Sequence, residues 1–199
     1  MNIFFLSADP AKAARWHNDA HVGKMCLEAC QMMADRCHHM GFDPGVGRLG
    51  KGHQSHPMTL WVGENKANYD WTWHLALELD AEHQRRYGTN APWAAHLPML
   101  SVGKHSMPDG EFTNPPRCIY DWCKYDYDWH QKFGDKVPCH VASYRLYYAA
   151  KYWEAEPMAH AEESSPARTA ARRMRSWKHR GEPGWMRKAL SALPDRLAA

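Results

Sequence analysis

No stretch of this sequence is long and apolar enough to cross a bilayer. The opening Met-Asn-Ile-Phe-Phe-Leu is too short and too uncharged for a secretory signal, so the expected location is the cytoplasm, with no membrane partner. The six cysteines (26, 30, 37, 118, 123, 139) lack zinc-ribbon spacing, and a chain this large and Trp-rich needs no stapling, so reduced thiols are expected. There is no GxSxG, no Ser-His-Asp order and no Walker A lysine loop, and GVGRLG at 45–50 lacks the strand that a dinucleotide fingerprint requires. Nor is there an HExxH. His17 and His21 are four apart but separated by the helix-breaking Asn18-Asp19, and His53 and His56 are three apart, so neither a metal nor a cofactor is expected. No internal repeat is present, and only AEPMAHAEESSPA at 155–167 is low in complexity.

What is present is 199 residues, 44% of them apolar, enough for a sizeable core. The expected architecture is mainly α, a single helical domain over 1–199 with long irregular loops. Asp9-Pro10 caps a short helix to about Trp16, and Asn18-Asp19 can cap a second that runs to about His38. Residues 41–57 form a Gly-rich loop ending in GHQSHP. From Met58 a helical period leads to Arg85-Arg86-Tyr87, with Gly88 placed as the stop. Residues 89–117 read as irregular, with at most a short helix at 91–97. Ile3–Leu6 reads as a strand or extended lead-in, Asp121–Phe133 is strongly aromatic, and helices are expected at Val141–Glu154 and Ala167–Lys178.

The second helix organises the chain. His21, Lys24, Glu28 and Gln31 follow one another at i, i+3, i+7 and i+10, a single polar stripe on an α-helix. Val22, Met25, Cys26, Leu27, Ala29, Met32 and Met33 cover its other faces, so the stripe is half-buried and needs partners or a ligand. The same spacing also suits a core helix whose Lys24 and Glu28 simply pair. Together Asp19, His21, Lys24, Glu28, His53, His56, Asn68 and Asp121 suit general acid–base work and the binding of a phosphorylated group.

The formal charge of +3 is unevenly spread. Residues 164–199 hold nine Lys/Arg against two acids, a net of +7, which leaves −4 for the remainder. Arg168, Arg172, Arg173, Arg175, Lys178 and Arg180, with Trp177 and Trp185 between and beyond them, suit a nucleic acid: guanidinium groups hold phosphates and indoles stack on bases. A solvated basic helix is the alternative.

The ordered set MNIFFLSADPAKAARWHNDAHVGKMCLEACQM, HQSHPMTLWVGENKANYDW, RRYG, PPRCIYD, ASYRLYY and WKHRGEPGW resembles a family of small bacteriophage proteins and spans most of the chain. That family reads MNIF, DKHVxKMxxExxQ, HxxHPxxxW, NYxW, RYGK, PD, YxxYY and WxxRxxPxW. Matching positions are Asp19, His21, Lys24, Glu28, Gln31, His53, His56, Pro57, Trp61, Asn68, Tyr69, Arg86, Asp121, Tyr144, Arg180, Pro183 and Trp185. Ala20 and Thr89 stand where the family has lysine, and residues 122–140 and 155–175 look inserted.

The family is similar to the helical, DNA-glycosylase-like transferases of thymine hypermodification, which carry an amino acid or polyamine to DNA. The resemblance implies a phage-encoded enzyme of the host cytoplasm that displaces pyrophosphate from activated 5-hydroxymethyluracil in DNA with an amine. Its partners would be DNA with a modified, flipped thymine and a small amine or amino-acid donor, and it would act as a monomer. Asp19, His21, Lys24 and Glu28 would be catalytic, and Gln31, His53, His56, Trp61, Asn68, Tyr69, Arg86 and Asp121 would bind substrate. The alternatives are a DNA glycosylase acting on a modified or damaged pyrimidine, with Asp19 or Lys24 central, and a non-catalytic DNA-binding protein.

Overall fold

The computed structural model describes residues 2–48, 50–124, 137–151, 176–189 and 191. Its architecture is mainly α. Among the described residues there is no strand, and the α-helices include α1 Pro10–Trp16, α2 Asp19–His39, α3 Lys51–Gln54, α4 Pro57–Val62, α5 Lys66–Tyr87, α6 Leu97–Gly103 and α7 Cys139–Ala150. The chain divides into two compact units, one of Met1–Phe4 with Asp9–Cys118, the other of Phe5–Ala8 with Ile119–Ala199.

In the first unit α2 and α5 form the central pair, with α1 on α5 and with α4 and α6 on α2. Local chemistry sets the boundaries. Asp9 Oδ1 accepts from the Ala11 N–H at 2.9 Å, and Pro10 occupies the first turn, where its missing N–H costs nothing. Asn18 Oδ1 accepts from the His21 N–H at 2.8 Å and starts α2, so the chain does break between His17 and His21. Val22, Met25, Cys26, Ala29, Met32 and Met33 from α2 pack with buried Tyr69, Leu75, Ala76 and Leu79 from α5. Each large apolar side chain so buried contributes about 1.5–3 kcal/mol.

Two expectations are corrected. The helical stretch after Met58 is broken into α4 and α5, because Asn65 turns out of the helix and caps α5 by accepting from the Asn68 N–H at 2.9 Å. The stop at Gly88 holds, at φ 72° in the left-handed region. Residues 89–117 are more helical than their Pro and Gly content suggests: α6 is flanked by 3-10 turns at Ala94–His96 and Lys104–Ser106. Pro98 sits in the first turn of α6, and Leu97 and Leu100 are buried. At its end Gly103 passes so close to α2 and α5 that an added Cβ would lie 2.4 Å from Cys37 Sγ and 2.8 Å from Tyr69 Oη. After α6 an extended segment is pinned to α5 by Asn68, whose amide donates to Thr113 Oγ1 at 2.8 Å and whose oxygen accepts from the Thr113 N–H at 3.0 Å.

In the second unit Phe5 packs edge-on against His140 of α7 and lies 5.9 Å from Tyr144, while Arg145 Nε donates to the Leu6 carbonyl at 2.9 Å. The helix expected at Val141–Glu154 is observed as Cys139–Ala150. Most of the basic helix expected at Ala167–Lys178 lies outside the described residues.

Candidate functional site

The α2 stripe forms as expected, with unequal burial along it. The Lys24 side chain is 62% exposed, whereas that of Glu28 is 12% exposed, and their charged atoms lie 3.7 Å apart at i, i+4. Glu28 Oε2 accepts from the Asn2 N–H at 2.7 Å, and Asn2 Nδ2 donates to the Cys118 carbonyl at 2.9 Å. The extended start of the chain thus fixes one oxygen of Glu28. His21 lies one turn before Lys24, its ring 5.0 Å from that of Phe4, and Gln31 follows Glu28 by one turn, half-buried.

His56 comes to this region as the N-cap of α4, a helix that packs on α2. Its Nδ1 accepts from the Met58 N–H at 3.2 Å, which requires Nδ1 to be bare and places the ring proton of the neutral imidazole on Nε2. Burial pulls its pKa below the usual imidazole value, positive charge on His53 adds to the depression, and Glu28 acts in the opposite sense. His53, His56 and Glu28 are therefore electrostatic neighbours, and the exposed His53 sits at the solvent side. The structure pairs Lys24 with Glu28, adds Asn2 as a member that no motif in the sequence marked, and sets His53 and Glu28 within electrostatic reach of His56.

Other expected site residues are engaged elsewhere. Asp19 and Arg86 belong to a buried network: Arg86 Nη1 donates to Asp19 Oδ1 at 3.0 Å and to the His17 carbonyl at 2.9 Å, Nη2 to the Arg15 carbonyl at 3.1 Å, and Nε to Glu82 Oε1 at 2.8 Å. This bolts the α1–α2 corner to α5 and engages the Arg86 guanidinium on every nitrogen and Asp19 through Oδ1. Trp61, Asn68 and Tyr69, expected to bind substrate, are buried. Trp61 donates to the Thr113 carbonyl at 3.2 Å and packs edge-on against Trp71 and Phe112; Asn68 holds Thr113; and Tyr69 donates to the Leu100 carbonyl at 2.8 Å. Asp121 lies in the second unit, its side chain 96% exposed and paired with Lys124 at 2.6 Å, which holds its carboxyl below the usual carboxylate range.

Of the expected DNA contacts, Lys178 and Arg180 are exposed, and Arg168, Arg172, Arg173 and Arg175 lie outside the described residues. Trp177 is not available for stacking on bases: it is buried, 6.0 Å from the Tyr148 ring, and Trp185 is half-buried beneath the Arg145 guanidinium. Among the described residues no group of three or more His, Cys, Asp or Glu side chains is placed to hold a metal ion, and no helix is long and apolar enough to cross a membrane. No family model, no curated protein and no solved structure matches the chain.

Proposed function

We propose that this protein is a DNA base-modifying transferase, in which an amine displaces pyrophosphate from the activated 5-methylene carbon of a modified thymine. The observation that carries the reading is a fixed, largely buried carboxylate, Glu28, within electrostatic reach of an imidazole whose donor nitrogen is dictated by its capping bond. In such a displacement the amine nitrogen forms the new C–N bond, the C–O bond to pyrophosphate breaks, and the amine gives up a proton. Glu28 takes that proton. The bare nitrogen of His56 already serves the Met58 N–H, so His56 acts as a donor, through Nε2–H, to a phosphate oxygen of the leaving group. Lys24 and His53, both on the solvent side, supply a cationic contact and an N–H donor to the pyrophosphate.

The resemblance to the phage family supports the substrate class, since His21, Lys24, Glu28, His53 and His56 all fall on its motifs. The glycosylase alternative loses support where it relies on Asp19, whose carboxylate is tied to Arg86. The test is mass spectrometry of nucleosides from phage DNA carrying the activated base, incubated with the protein and an amine mixture. A heavier thymidine supports transfer, a free base with an abasic site supports a glycosylase, and unchanged nucleosides support a binder.

A further inference from the structure

The stripe on α2 continues beyond Gln31 to Asp35, seven residues past Glu28 and so about 10 Å along the same helix face. There a cavity of about 330 Å³, within the ordinary range for small-molecule sites, opens between α2 and the segment leading into α4. Its inner wall is the pair Asp35 and Arg36, both more than nine-tenths buried. Asp35 Oδ2 and Arg36 Nε are buried and have no hydrogen-bond partner among the described residues; they meet only each other, in a 3.5 Å ion contact. Buried charged groups left in that condition are costly, and native structures avoid them unless something else fills the gap.

The pair is held deliberately. Gly63, at the end of α4, runs over the Arg36 stem so closely that a Cβ there would lie 2.3 Å from Arg36 Cδ. At the mouth Arg48 is anchored by donating to the His38 carbonyl at 2.8 Å, and His39 and Gln54 complete the polar wall. Two arginines and one aspartate thus line one small space.

We propose that this cavity binds a compact zwitterion, a molecule with an ammonium and a carboxylate a few bonds apart, such as an α-amino acid. Asp35 takes the ammonium, and Arg36 and Arg48 take the carboxylate. A simple anion such as phosphate would set its oxygens against Asp35, and a diamine would set its charges against two arginines, so neither satisfies both ends. If the transfer reading holds, this is a holding site from which the amine donor must move about two helical turns to reach Glu28; the binding itself does not depend on that reading.

The experiment is calorimetric titration of the full chain with glycine, acetate, methylamine, putrescine and inorganic phosphate. Saturable glycine binding, at least tenfold tighter than that of each of the others, is expected. Asp35→Asn should weaken glycine at least tenfold. Because that variant leaves Arg36 buried beside a neutral amide and is at risk of misfolding, the exposed Arg48→Gln is the second test and should weaken glycine several-fold with an unchanged melting temperature. Absence of glycine binding to the wild type, equal binding of acetate or phosphate, or indifference to Arg48→Gln would overturn the proposal. The nucleoside assay is scored separately, so glycine binding without base modification removes the transfer reading alone, and modification without glycine binding removes this site alone.

Discussion

Arg86→Met separates structural from catalytic use of the corner where α1 meets α2. The substitution keeps most of the aliphatic stem and deletes a guanidinium, 1% exposed, that makes four hydrogen bonds to Glu82, Asp19 and the carbonyls of Arg15 and His17. Glu82, fully buried, loses its Arg86 bond and keeps Arg85, which bonds it at 2.6 Å from a half-exposed position, and the two carbonyls lose a donor. Removing one partner of a buried ion pair costs about 3–5 kcal/mol. For a chain of this size each kcal/mol moves the melting temperature by about 2–4 °C, so a fall of roughly 6–20 °C is expected by circular dichroism. Asp19→Asn should cost less, because Glu82 still holds Arg86. A drop under about 2 °C for Arg86→Met, with activity lost, would refute the structural assignment and return Asp19 and Arg86 to the chemistry.

Lys24→Met should shift the melting temperature by no more than a few degrees, since an ion pair whose cation is 62% exposed is worth about 0–1 kcal/mol, yet should weaken pyrophosphate binding at least tenfold by titration. His17 carries a pH signature. Burial lowers its pKa to about 4 from 6.5, so below pH 6.5 the unfolded chain takes a proton that the fold refuses. Stability should therefore be intact above pH 6.5 and fall by up to about 1.4 kcal/mol per pH unit down to pH 4, about 3 kcal/mol in all, and His17→Gln should flatten that part of the melting profile. DNA affinity should fall with log salt at a slope of several units if roughly four to six phosphates are contacted, and removing residues 166–199 should abolish both affinity and slope; an unchanged slope would place the DNA surface elsewhere.

Helix starts and stops were legible wherever a side chain acts on its own backbone: Asp9, Asn18 and Gly88 are read from neighbours within four residues. The stripe from His21 to Gln31 was legible for the same reason. What the sequence hid depends on partners distant in the chain. Asn2 reaches Glu28 and Cys118, Asn68 is consumed by Thr113, and Gly103 exists for Cys37 and Tyr69, none of which periodicity encodes. Asp19 and Arg86 read as site residues because polar residues in motifs suggest chemistry, whereas here they satisfy carbonyls at a helix corner. Asp35 and Arg36 do not stand out in the sequence, because one acid beside one base resembles any helix surface; only burial and the glycine across from them set the pair apart.

The central claim, that Glu28 is the base of an amine transfer to DNA, is tested most directly by Glu28→Gln in the nucleoside assay. Glutamine keeps an acceptor for the Asn2 N–H, so the variant should fold, with a loss of about 1 kcal/mol, and bind DNA as the wild type does. Formation of the heavier thymidine should drop by about 10²–10⁴, the usual worth of a general base. A folded Glu28→Gln that forms the modified nucleoside at the wild-type rate would contradict the account.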